Sequence, residues 1–227
     1  MKKLFLVFFL ALFVLTKRSN AQGEPFTGPI LNQKSLHFNA GTQGLGAEFS
    51  YGVLSRAALR LGVNFIPVAA NNPFEISGFN STSKLTASFS NIHLLADFTP
   101  FENASGFRLV GGAAYFMNAN GNLQVQPTDK YTYGDIVLSP NDVGKLNMNV
   151  NWKGVAPYLG IGLLKAFPNH AFNVNLDLGS YYLRQPAARI SGTGILESNS
   201  SQTGQFQQNI KGYRFLPVVQ VNFNFKI

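Results

Sequence analysis

Tyr213-Arg214-Phe215-Leu216-Pro217-Val218-Val219-Gln220-Val221-Asn222-Phe223-Asn224-Phe225-Lys226-Ile227 closes the chain, and its side chains alternate between two chemistries. The odd positions Tyr213, Phe215, Pro217, Val219, Val221, Phe223, Phe225 and Ile227 are apolar, while the even positions include Arg214, Gln220, Asn222, Asn224 and Lys226. Successive side chains of a β-strand point to opposite faces, so this segment reads as a strand that meets a different solvent on each side. Soluble strands rarely run this long with so many aromatics on one face. A membrane-spanning barrel strand of about 9–11 residues fits the pattern better.

The same period recurs upstream. Phe172, Val174, Leu176 and Leu178 alternate with Asn173, Asn175, Asp177 and Gly179, and Val155, Pro157, Leu159, Ile161 and Leu163 alternate with Gly154, Ala156, Tyr158, Gly160 and Gly162. Small inward residues of this kind make room for bulkier neighbours in a narrow barrel. Phe107 to Met117 carries a third such pattern around Arg108, and Ala57 to Phe65 a fourth around Arg60. Over residues 84–98 the apolar parity changes between Phe89 and Ile92, as a β-bulge would produce. The glycines in 41–46 either make a tight turn between two strands or bend one long strand. Connections at 54–55, 99–105 and 166–169 are short, whereas 66–83, 119–150 and 185–211 are long, as in barrels with short periplasmic turns and long outer loops. The expected fold is therefore all-β: a transmembrane antiparallel up-and-down β-barrel of eight strands. A secreted β-sandwich is the competing fold, but its wet face would carry more Lys and Glu than these strands do.

The amino-terminal residues agree with an exported barrel. Lys2 and Lys3 precede the apolar run Leu4 to Leu15, and Ser19-Asn20-Ala21 stands before Gln22, the layout of a signal peptide cleaved after Ala21. Residues 22–35 then form an N-terminal periplasmic segment and 36–227 the barrel. Loss of Lys2, Lys3, Lys17 and Arg18 lowers the basic count from 18 to 14, against 10 acidic residues, which gives no case for nucleic acid. The chain has no cysteine, so it carries neither disulfides nor a lipoprotein anchor. No segment beyond the leader is long and apolar enough for a membrane helix.

Val155-Ala156-Pro157-Tyr158-Leu159-Gly160-Ile161-Gly162, Asp177-Leu178-Gly179-Ser180-Tyr181-Tyr182 and Phe215 to Phe225 together resemble the small bacterial outer-membrane β-barrels of the superfamily that includes the barrel of outer-membrane protein A. The resemblance covers the second half of the chain better than the first. It implies a Gram-negative, porin-like cell-envelope protein in contact with outer-membrane lipids. It also implies insertion by the barrel-assembly machinery, with Phe223, Phe225 and Ile227 as the assembly signal. Such strands commonly finish on Phe or Trp, and this one finishes on Lys226-Ile227.

Parity places Glu48, Arg60, His93, Asp97, Arg108, Asp177 and Arg214 inside. In an eight-stranded barrel opposite charges there pair and fill the lumen; the alternative is a conducting path. His93 and Asp97 lie four residues apart, about 13 Å along a strand, too far for a direct hydrogen bond. His37 and His170 have no evident acidic partner, and three scattered histidines show no metal-ligand spacing. Segment 119–150, with Tyr131, Tyr133 and nearby Trp152, is either a binding surface or a loop anchored by its aromatics at the membrane interface. Asn80-Ser81-Thr82, Asn103-Ala104-Ser105 and Asn199-Ser200-Ser201 read as polar loop residues, and 202–211 as a short helical turn. The expectation is a monomer without cofactor or catalytic residues, in a structural or surface-interacting role. A small pore or hydrophobic-solute channel and a lipid-modifying enzyme are the alternatives.

Overall fold

Gly41 and Gly44 face each other across a tight turn at Thr42-Gln43, so the glycine-rich segment is a hairpin and not a bent strand. Gly44 has φ +84°, a conformation that side chains disfavour. The computed structural model describes residues 30–72, 80–101 and 106–227. The expected leader 1–21, most of segment 22–35 and the triplet Asn103-Ala104-Ser105 lie outside these residues.

Eight long strands form the wall: β1 (Lys34–Gly41), β2 (Gly44–Gly52), β3 (Ala57–Asn71), β4 (Ser81–Phe98), β5 (Phe107–Pro127), β9 (Gly154–Leu163), β10 (Phe172–Tyr182) and β12 (Phe215–Lys226). Each pairs antiparallel with its neighbours, and β1 pairs with β12 while β5 pairs with β9, which closes the ring. Closure leaves no exposed sheet edge at membrane depth, where an unpaired backbone group would cost several kcal/mol. Odd residues of β12 point outward and Val218, Gln220, Asn222 and Asn224 point inward, as its alternation requires. Phe38, Leu61, Val63, Leu94, Leu109, Leu159, Phe172 and Phe225 stand exposed around the outside. So wide an apolar belt is the lipid-facing surface of a membrane barrel. Among the described residues no helix is long and apolar enough to cross a membrane.

The turns joining β2 to β3 and β9 to β10 lie at one end, together with the last residues of β4, the first residues of β5 and both ends of the described chain. At the other end the wall is uneven. The β1–β2 hairpin stops low, whereas β3, β4 and β5 continue well past it. Much of what the sequence reads as long loop is therefore strand, because a sheet already paired in the wall propagates upward at little further entropic cost. Beyond the membrane, the upper half of β5 exchanges its partner β9 for β8 (Leu146–Asn151), and β8 pairs with β11 (Ala187–Gly192). A small hairpin of β6 (Tyr131–Tyr133) and β7 (Ile136–Leu138) precedes β8.

The outer edge of β11 is covered rather than free. The 3-10 helix Gly194–Gln202 and the α-helix Thr203–Ile210 pack against it, the latter at the expected helical turn. Gln207 accepts from the Ala188 N–H and donates to the Pro186 carbonyl, both at 2.7 Å, and Thr203 bonds the Ile190 N–H and carbonyl. These side chains occupy groups that another strand would otherwise seek.

The parity change expected to mark a bulge in β4 has a different origin. Pairing of β3 with β4 is unbroken from Ala57↔Phe98 to Asn71↔Lys84, so β4 keeps its odd residues inward throughout. The register shift lies in the β4–β5 pairing, where Ser90 faces Asn118 and Asn91 faces Phe116, and the unpaired residue is Met117 of β5.

Candidate functional site

An eight-stranded barrel encloses only enough space for side chains, and here that space holds charge at its centre. Arg60 of β3 and Arg108 of β5 are fully buried, as are Glu48, Asp97 and Asp177. Arg60 Nη1 lies 2.6 Å from Asp177 Oδ2, and Arg108 Nη2 lies 2.9 Å from Asp177 Oδ1. Asp97 closes the other side, 2.5 Å from Arg108 Nη1 and 3.1 Å from Arg60 Nη2. Two guanidiniums and two carboxylates thus alternate in a ring, and Glu48 joins it 3.2 Å from Arg60 Nη1. Alternation gives every charge an opposite neighbour, which offsets the desolvation that makes lone buried ions so costly.

Amides complete the cluster. Asn222 donates to Asp177 and Asn175, while Asn39 and Gln220 both donate to Glu48 Oε1. Arg108 Nε donates to the carbonyl of Leu164, a residue held at φ +69° in the turn after β9. Inward glycines provide the sockets. A methyl group on Gly162 would sit 2.5 Å from the Arg108 guanidinium carbon, and one on Gly62 would strike Glu48 and His93.

Six of the seven charged side chains assigned inward by parity meet in this cluster, with His93 Nε2 3.3 Å from Glu48 Oε1. Arg214 does not. It precedes β12, stacks its guanidinium 4.3 Å over the Tyr182 ring and donates to the Leu183 carbonyl at the upper rim. The alternation that places it inward runs past the end of the strand. His37 corrects the opposite expectation: it pairs directly across from Glu48 in the β1–β2 register, with Nδ1 3.9 Å from Oε2. Phe223, Phe225 and Ile227 face outward, with Phe225 edge-on to Phe38.

A second layer, which charge parity does not reveal, seals the lumen above the ions. Tyr181 packs 4.7 Å from Tyr158 and 5.4 Å from Phe116, beside Leu95, Val110, Leu183 and Val218. Gly160 and Gly179 make room for the Tyr158 hydroxyl end. Trp152 belongs to this inner region rather than to the membrane interface. Its ring lies 6.3 Å from Phe89 and its Nε1–H donates to the Tyr213 carbonyl. The cavity beside Glu48, His93 and Tyr158 measures about 10 Å³, room for about one water and no more. Among the described residues no three His or acidic side chains converge as metal ligands.

A closed eight-stranded antiparallel ring, apolar outside and charged within, is an outer-membrane β-barrel. The chain is similar to two solved barrels of that kind from Acinetobacter baumannii. CarO is 23% identical, with 88% of this chain and 98% of that one covered at a TM-score of 0.62. CarO2 is 19% identical, with 87% and 99% covered at 0.63. No protein-family model matches, and neither does any curated protein.

Proposed function

We propose that the chain is a non-conducting outer-membrane barrel whose role is structural or surface-interacting, with no turnover chemistry. The observation that carries this reading is the doubly filled lumen. An ion crossing it would have to part the Arg60–Asp97–Arg108–Asp177 ring and then displace Tyr158 and Tyr181. Separating buried, hydrogen-bonded ion pairs costs about 3–5 kcal/mol when one partner is lost. The tall wall of β3, β4 and β5 with its β8–β11 extension supplies the surface that such a protein would present outward. Planar-bilayer recording tests the reading. Purified, folded protein should give no reproducible conductance steps at any applied voltage, and regular steps would establish the pore alternative instead.

A further inference from the structure

Strands β4 and β5 carry the lipid-facing surface upward into a different chemistry. On β4 the outward series Phe98, Ala96, Leu94 and Ile92 is followed by Ser90, Ser88, Thr86, Lys84 and Thr82. On β5 the outward positions above the bulge are Asn118, Asn120, Asn122, Gln124 and Gln126. The register continues the row onto β8 through Asn147, Asn149 and Asn151, and onto β11 through Arg189 and Ser191. Hydroxyls and carboxamides therefore cover one face of four neighbouring strands, with Lys84 and Arg189 as its cations. The outward positions of these strand segments include no carboxylate; Asp129, beyond the end of β5, is engaged by Asn80.

Part of this face is bonded to itself. Asn151 donates to Asn120, Asn120 to Asn118 and Asn118 to Ser88, a chain that crosses three strands. Higher up, the side chains of Asn122, Gln124, Asn147 and Asn149 make no hydrogen bond among the described residues, so their donors and acceptors are available. A half-open cavity of about 290 Å³ lies at the same height, lined by Asn71, Thr82, Lys84, Gln124 and Gln126 among others, all polar. That volume is at the lower end for small-molecule sites.

We propose that this face seats the phosphorylated saccharide headgroup of an outer-leaflet glycolipid. The inference rests on the outer-membrane reading, because it takes the face's continuity with the lipid belt as the reason a lipid headgroup lies against it. Height selects the lipid. Lys84 stands eight residues above Ile92, about 26 Å along the strand and about 20 Å in height at a tilt near 40°. A phospholipid headgroup layer is only about 5–8 Å deep, so it reaches no further than the lowest serines. Carboxamides offer both donor and acceptor to sugar hydroxyls, and Lys84 and Arg189 complement phosphate. Three strand spacings and a two-residue offset separate the two cations, about 16 Å, a span suited to an extended oligosaccharide rather than a single anion.

The test uses the full folded protein in neutral detergent, its barrel verified by heat-modifiable gel migration. It is titrated with lipopolysaccharide bearing a phosphorylated core, with the same glycolipid truncated to lipid A, and with phosphatidylglycerol micelles. The full-length glycolipid should bind at least ten-fold more tightly than the truncated one. Lys84→Ala/Arg189→Ala should abolish that advantage, and so should Asn122→Glu, which sets a carboxylate against the phosphate while leaving the lumen untouched. Affinity for phosphatidylglycerol should change less than two-fold in both variants. Equal binding of the two glycolipids, variants that bind like the parent, or cross-linking that shows a second copy of the chain on this face would each overturn the proposal. A protein whose boiled and unboiled forms migrate alike would instead overturn the outer-membrane reading beneath it.

Discussion

Replacing Arg108 with alanine tests the charged ring most directly. Arg108 touches Asp97 at 2.5 Å and Asp177 at 2.9 Å and donates to the Leu164 carbonyl at 3.2 Å. Its loss leaves Arg60 as the sole guanidinium for Glu48, Asp97 and Asp177. Removing one member of a buried ion pair costs about 3–5 kcal/mol, chiefly because the remaining charges stay buried without compensation. With a urea slope of about 2 kcal/mol per molar, the unfolding midpoint should fall by about 2 M. The folded fraction is read by heat-modifiable migration of protein in lipid vesicles across a urea series. Adding Asp97→Asn to Arg108→Ala removes one of the stranded charges, so the double variant should be more stable than the sum of the single changes by about 1–3 kcal/mol. A midpoint within about 0.3 M of the parent, or strict additivity in the cycle, would refute the ring as a source of stability.

Gly162→Val should destabilise the barrel by about 1–3 kcal/mol by pushing Arg108 off its carboxylates, whereas Gly111→Ala, whose added methyl meets nothing closer than 4.0 Å, should unfold like the parent in the same urea series. Thr203→Val with Gln207→Leu strips the caps from β11, so sedimentation in detergent should show self-association that the parent lacks. Phe223→Ser with Phe225→Ser should lower the assembled, heat-modifiable fraction in cells well below the fraction the same variant reaches when refolded in detergent, as expected of a signal read by the assembly machinery. In the outer segment, Asp142 accepts from the Ser139 hydroxyl and, more weakly, from the Ser139 N–H, which hold its carboxyl below the ordinary aspartate range. A depressed folded-state pKa contributes stability above the unfolded value and loses it as pH falls, so amide exchange at Ser139 should quicken progressively below about pH 3.9, beyond its intrinsic pH dependence.

The wall was legible where its two faces meet different solvents. From Phe172 to Leu178 and from Phe215 to Phe225, lipid on one side and a polar lumen on the other imprint a period of two that ordinary strand chemistry cannot hide. The ionic cluster was legible for the same reason: a charge on the inward face of a narrow barrel has few places to go. What escaped was whatever depends on register. His37 meets Glu48 only because the turn at Thr42-Gln43 sets β1 against β2 residue for residue, and no local pattern announces that pairing. Of the aromatic layer only Tyr158 was legible, on the inward face of its strand beside Gly160 and Gly162; its meeting with Phe116 and Tyr181, from two other strands, depends on register.

Strands β4 and β5 show why apolar parity alone points to β4 for a bulge that lies in β5. A period-two pattern records the solvent at each face, so apolar parity inverts either when the backbone slips by one residue or when the solvent changes. In β4 the backbone never slips, yet its outward face passes from lipid to water above Ile92 while its inward face gains Phe89 and Leu85. Parity inverts without a bulge. In β5 the chain does slip at Met117, and at that height the solvents exchange as well, so Leu109, Tyr115, Leu123 and Val125 are all odd although the first two face lipid and the last two face inward. Two inversions cancel, and the strand that contains the bulge displays an uninterrupted pattern. The membrane boundary is therefore encoded twice in this pair of strands, once as a visible inversion and once as a hidden one, and only the pairing Ser90↔Asn118 followed by Asn91↔Phe116 separates them.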